Sequence, residues 1–124
     1  MAKSLTKKDI GTWSMLAHLS ALIGILGFGW DVLFCGIVLG PLAVWLTKGK
    51  VNDVVGSNAK EALNFQITIL IIVFVLAMLA AISGIFQLLA LIVLLVGFGF
   101  AIYAGVMVNK GENYRYPLAI RLIK

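Results

Sequence analysis

The sequence predicts an all-α, polytopic membrane protein. Four transmembrane helices form two antiparallel hairpins, with both termini on the cytoplasmic side and a short interfacial segment after the last span. Three observations predict this. The chain has 124 residues, 62% hydrophobic and 12% charged, against roughly 45–50% and about 25% in soluble domains; a unit this small cannot bury so much apolar surface. The apolar residues gather into four runs joined by short polar or glycine-containing connections. All ten Lys and Arg residues fall on one side of a four-span threading.

A helical span takes about 20 predominantly apolar residues. The runs place spans near 13–30, 32–46, 62–82 and 85–108 of a single domain, 1–124. Backbone groups in lipid must be satisfied within their own segment, and the runs are too long and too unalternated for barrel strands.

The first run follows Lys3, Lys7 and Lys8 like a signal peptide, but without a small-x-small cleavage site and with a second apolar run close behind; a retained helix is expected. Thr6 and Asp9 have the spacing of a capping box, so this helix is expected to begin before the bilayer. The second run is short and contains Gly40-Pro41, predicting a bent helix or a locally thinned bilayer. Asn58 and Glu61, just after Gly56, predict the start of the third helix. Gly111 predicts the stop of the fourth. Pro117 suits the first turn of a short final helix, in which Leu118, Ala119, Leu122 and Ile123 lie on neighbouring faces. With Tyr114, Arg115, Tyr116, Arg121 and Lys124, this segment is expected to anchor in the headgroup layer.

Orientation follows from charge. The basic residues precede the first span (Lys3, Lys7, Lys8), link the second to the third (Lys48, Lys50, Lys60) or follow the fourth (Lys110, Arg115, Arg121, Lys124). The connections at Gly29–Asp31 and Ser83–Gly84 carry none. The positive-inside rule makes the basic side cytoplasmic, in the inner (cytoplasmic) membrane of the cell. Trp13, Trp45, Tyr114 and Tyr116 then map to the inner boundary and Trp30 to the outer one. The net charge of +5 points to anionic lipid headgroups; the motifs of nucleic-acid binding are absent.

Little in the chain signals chemistry. Cys35 stands alone inside an apolar run, excluding an intramolecular disulfide or a multi-cysteine metal site. His18, the single histidine, lies inside the first span, where a polar residue marks either function or a helix–helix hydrogen bond. Asn64 and Thr68 share one face of the third helix, with Gln66 about 200° away, so His18, Asn64 and Thr68 are the candidate intramembrane polar contact. Gln87 is expected to reach water or headgroups at the outer end, and Asp31 to cap the second helix. Lys60 and Glu61 have the look of a solvated charge pair. Paired carboxylates, a nucleophile beside a base and a phosphate-cradling loop are all missing, so no enzyme, metal or cofactor is expected. Helix packing is expected at small residues: Gly36 and Gly40 in the second helix, and Gly97, Ala101 and Gly105 in the fourth. The same seams can serve a homo-oligomer or a larger membrane complex.

Four stretches together resemble a known family: MLAHLSALIG at 15–24, GPLAVWLTK at 40–48, NAKEALNFQIT at 58–68 and NKGENYRYPLAIRLIK at 109–124. They resemble the small prokaryotic membrane proteins similar to the Tic-twenty component of the chloroplast inner-envelope import machinery, and cover essentially the whole chain. The resemblance implies a four-helix membrane protein and hints at protein translocation. His18, Asn64, Phe65, Gln66, Tyr114, Arg115, Tyr116 and Pro117 match that family's motifs. The expected function is a non-enzymatic scaffold or accessory subunit of a membrane complex. The alternative is an oligomeric transporter or pore component related to protein or peptide translocation, with His18, Asn64 and Thr68 along its path.

Overall fold

In a computed structural model the chain folds as four α-helices with no strand among the described residues. The structure describes residues 4–26 and 30–124, and of 23–26 and 30–36 the backbone alone. Lys3, the connection at Gly29 and the side chains of Trp30, Asp31, Cys35 and the site of Gly36 therefore lie outside the described residues.

Helix α1 (Lys7–Leu26) starts on a complete capping box. The Asp9 backbone N–H donates to Thr6 Oγ1 at 3.1 Å, and the Thr6 N–H donates to Asp9 Oδ2 at 3.1 Å. Helix α2 (Trp30–Thr47) keeps Pro41 inside it and passes through a 3₁₀ turn (Lys48–Lys50). It is 18 residues long, longer than the run of apolar residues alone predicts, because Trp30, Asp31 and Thr47 extend it at both ends.

Helix α3 (Asp53–Leu79) begins earlier than expected. Asn52, not Asn58, is its cap: Asn52 Oδ1 accepts the Val54 and Val55 backbone N–H groups at 2.9 and 3.2 Å. The helix consequently has 27 residues, and Asn58 and Glu61 lie inside it, free for tertiary contacts. Helix α4 (Ile85–Asn109) stops at Gly111, whose φ of 87° suits a residue without Cβ.

Helices α1 and α3 each pack against the other three, forming the short diagonal of the bundle. All described Lys and Arg residues lie at one end, where α1 and α3 begin and α2 and α4 finish. Lys48 sits over the Trp13 ring at 5.0 Å from its centroid, and Lys50 and Lys60 flank Trp45 at 6.0 and 5.9 Å.

The small residues are used inside the chain. A Cβ on Gly105 would meet Leu19 Cγ of α1 at 2.9 Å, and one on Gly97 would meet Ile69 Cδ1 of α3 at 3.1 Å. Ala101 between them is fully buried. A Cβ on Gly40 would collide with the Ser20 side chain and backbone of α1. Each is a point of close helix approach.

Away from the basic end, α3 and α4 carry apolar side chains outside as well as inside. Phe74 and Met78 on α3 are 62% and 64% exposed, and Leu88, Leu91, Leu95 and Ile102 on α4 are also exposed. Soluble monomers rarely show contiguous apolar surface of this extent. Among the described residues α3 and α4 are long and apolar enough to cross a membrane by length and composition.

Candidate functional site

Beyond Gly111 the sequence predicts a short amphipathic helix lying in the headgroup layer. The structure shows instead an irregular loop folded back along α3, with Tyr116 buried and Leu118, Ile120 and Leu122 exposed. The reason lies in the polar face of α3, where Asn58, Glu61, Asn64 and Thr68 recur three, three and four residues apart. Glu61, Asn64 and Thr68 bind the backbone of the loop, replacing bonds that a final helix would make internally, while Asn58 holds His18.

The loop can be followed contact by contact. The Tyr116 N–H donates to Glu61 Oε1 at 2.8 Å. Deeper along α3, the Ile120 N–H donates to Thr68 Oγ1 at 2.9 Å, while that hydroxyl donates to the Asn64 carbonyl at 2.8 Å. The chain then turns back. Asn64 Nδ2 donates to the Ile123 carbonyl and Asn64 Oδ1 accepts the Ile123 N–H, both at 2.8 Å. Asn64 thus pairs with the backbone as an adjacent strand would. Finally Lys60 Nζ reaches the Lys124 main-chain oxygen at 3.3 Å.

Arg121 closes this loop from within. Its guanidinium donates to Glu61 Oε1 at 2.7 Å, to the Tyr116 carbonyl at 3.0 Å and to the Ala119 carbonyl at 2.7 Å. Arg121 and Glu61 side chains are 30% and 12% exposed, so the ion pair is largely withdrawn from water and its geometry matters. Glu61 therefore pairs with Arg121 across 60 residues of sequence, not with neighbouring Lys60.

Tyr116 is the wedge. It is 1% exposed and stacks flat on Phe65, with ring centroids 3.8 Å apart and an interplanar angle of 4°. Tyr114 meets its edge at 5.2 Å and Tyr103 meets Tyr114 at 5.4 Å. The Tyr116 hydroxyl lies 2.8 Å from His18 Nδ1, and His18 Nε2 lies 3.2 Å from Asn58 Oδ1. Asn58 Nδ2 donates to the Val54 carbonyl at 3.0 Å, which orients the amide and leaves Oδ1 as an acceptor. His18 must then carry its proton on Nε2 and accept the Tyr116 O–H on Nδ1, the neutral tautomer.

Burial pushes the Tyr116 phenol well above its ordinary range, with the charges of Tyr114 and Glu61 adding to the shift. Tyr114 is raised too, first by burial and then by Tyr103 and Glu61. A tyrosine whose folded pKa exceeds its unfolded value stabilises fully below the unfolded value and loses that contribution as pH rises through the folded one. The loop is therefore expected to hold through neutral pH and to loosen above the ordinary tyrosine value of 10.0. Tyrosinate absorbance followed together with amide exchange of residues 114–124 checks this; exchange that stays constant into strong alkali would contradict it.

The residues singled out from sequence are thus redistributed. His18 does not meet Asn64: Tyr116 and Asn58 occupy its two nitrogens, while Asn64 and Thr68 bind the loop backbone. Tyr116 and Arg121 are inward, structural parts, whereas Arg115 and Lys124 are exposed. Gln66 is buried away from the loop, its Nε2 without a hydrogen-bond partner, as is Ser14 Oγ. Gln87 is exposed. Asn58 and Glu61 were legible only as a helix start, although their spacing with Asn64 and Thr68 already marks a polar face. Among the described residues no group of three or more His, Cys, Asp or Glu side chains is placed to hold a metal ion. The chemistry available is hydrogen bonding and charge neutralisation that fasten the loop to α3 and α1.

The model of the MamF/MmsF family, described as the magnetosome magnetite crystal formation protein family, matches residues 9–123. This corrects the resemblance to the Tic-twenty-like proteins and removes the hint of translocation taken from it. The match includes α1 from Asp9 onward, the polar face of α3 and all but the last residue of the loop. No curated protein and no solved structure matches the chain.

Proposed function

Because this chain belongs to the magnetosome magnetite crystal formation protein family, we propose that it serves magnetite crystal formation as a non-enzymatic module of the magnetosome membrane. The observation that carries this reading is the family match over residues 9–123, which embraces the whole fastened bundle. In this reading all four helices cross the bilayer, and the basic end with both termini faces the cytoplasm. The exposed apolar belt of α3 and α4 supports the membrane placement. The Lys and Arg residues gathered at one end support the orientation.

A scaffold role is supported by the way the polar groups are spent. Glu61, Asn64, Thr68, Tyr116 and Arg121 are occupied in fastening the chain to itself. Beyond Thr68 on α3 and along most of α4 the outward side chains are apolar and suited to packing against lipid, another copy or a larger membrane complex. The translocation path loses its motive with the family correction, and His18, Asn64 and Thr68 lie buried beneath the loop.

The test is deletion of the gene in its magnetite-forming cell, with electron microscopy of the crystals and fractionation of the restored protein. Crystals altered in size or number, with the protein in the magnetosome membrane fraction, are expected. Unchanged crystals, or a protein absent from that fraction, would overturn the proposal.

A further inference from the structure

At the basic end a cleft of about 920 Å³ opens between the first third of α3, Trp45 of α2 and the loop. Its wall carries four cations, Lys60, Arg115, Arg121 and Lys124, against two carboxylates, Asp53 and Glu61. One carboxylate is already used, since Glu61 is paired with Arg121 at 2.7 Å. Lys60, Arg115 and Lys124 therefore stand against Asp53 and the Lys124 main-chain oxygen, which Lys60 Nζ meets at 3.3 Å.

Two further features favour a particular ligand chemistry. Arg115 is exposed and forms no ion pair among the described residues. The wall is also mixed, with Trp45, Val54 and Ile123 beside the cations and the amide of Asn113. Cations with amide donors recognise an oxyanion, and guanidinium suits the oxygens of phosphate. The apolar portion suits whatever the phosphate is attached to.

We propose that this cleft binds a phosphate-bearing anion, with Lys60 and Arg115 as its principal contacts and Trp45 against its apolar part. The phosphate can be that of a lipid headgroup or of a soluble molecule, and the chemistry of recognition is shared. The inference uses the membrane reading only to distinguish these sources; the cleft itself is a property of the fold.

The full chain, labelled with fluorotryptophan, is placed in nanodiscs of neutral phosphatidylcholine and observed by fluorine NMR. The Trp45 resonance is assigned with Trp45→Phe. One arm raises the fraction of phosphatidylglycerol in the disc; the other adds inorganic phosphate to the buffer. A saturable shift of the Trp45 resonance in the first arm alone identifies a lipid headgroup, and a shift with inorganic phosphate identifies a soluble anion; both support the site. Arg115→Gln and Lys60→Gln are each expected to raise the half-saturation point about fivefold, the effect of one basic residue near an anionic surface. Lys110→Gln, at the same end but outside the cleft, is expected to leave it unchanged. No shift in either arm, or equal weakening by Lys110→Gln, would overturn the proposal; the second outcome would mean general surface attraction. Neither result depends on whether deleting the gene alters crystals.

Discussion

Tyr116→Ala is expected to release the loop from the bundle and to cost about 3–5 kcal/mol, the range for truncating a large buried aromatic. Three contacts disappear together: the flat stack on Phe65, the edge contact with Tyr114 and the hydrogen bond to His18. A void opens between α1, α3 and the loop, and His18 Nδ1 loses its donor. Tyr116→Phe separates these effects, because it keeps the stack and removes only the hydroxyl. Its expected cost is about 1–2 kcal/mol, the range for a buried polar group deprived of its partner. Denaturation in mixed micelles gives both values, and limited proteolysis after Gly111 reports release directly. Equal stability of the two variants would show that the ring contributes nothing and that the wedge description is wrong.

The second large effect is expected at Glu61. Glu61→Ala removes the acceptor for the Tyr116 N–H and the counter-charge of Arg121 in one step. Breaking a buried pair by removing one partner costs about 3–5 kcal/mol, and the partial exposure of Arg121 places this case at roughly 3 kcal/mol. Glu61→Gln keeps an oxygen for the Tyr116 N–H but not the charge, and is expected to cost less than half as much. Removing Arg121 as well relieves the stranded charge, so the double variant Glu61→Ala with Arg121→Ala should lose less than the sum of the single ones. Amide exchange at Tyr116 and Ile120 follows the loop in each variant. Strict additivity would mean that the two side chains act independently despite their 2.7 Å contact.

These residues also indicate how much was legible beforehand. Thr6 and Asp9 predicted the start of α1 because a capping box is a local device, complete within four residues. Gly111 predicted the end of α4 for the same reason. The start of α3 was misplaced because Asn52 and Asn58 are equally good caps by composition; the choice depends on which side chain is wanted elsewhere, and Asn58 is taken by His18. The final segment departs from the sequence reading in its backbone: Pro117 predicts a short helix, and the chain there is irregular. Leu118, Leu122 and their neighbours have a helical spacing, yet three backbone N–H groups of the loop find partners on α3 that no local pattern reveals.

By itself the sequence determined an all-α chain of four helices with apolar flanks and its cations at one end. Hydrophobic runs, caps and charge asymmetry are properties of neighbouring residues, so they survive without knowledge of the fold. Only the tertiary structure decided that Asn58, Glu61, Asn64 and Thr68 form a receptor for the loop, that Tyr116 is buried against His18, and that a cationic cleft is left beside them. Those pairings join residues 40 to 98 positions apart, and several use backbone donors that every amino acid except proline offers alike. Which of them meets which side chain is settled by packing the helices against one another, not by the order of residues along the chain.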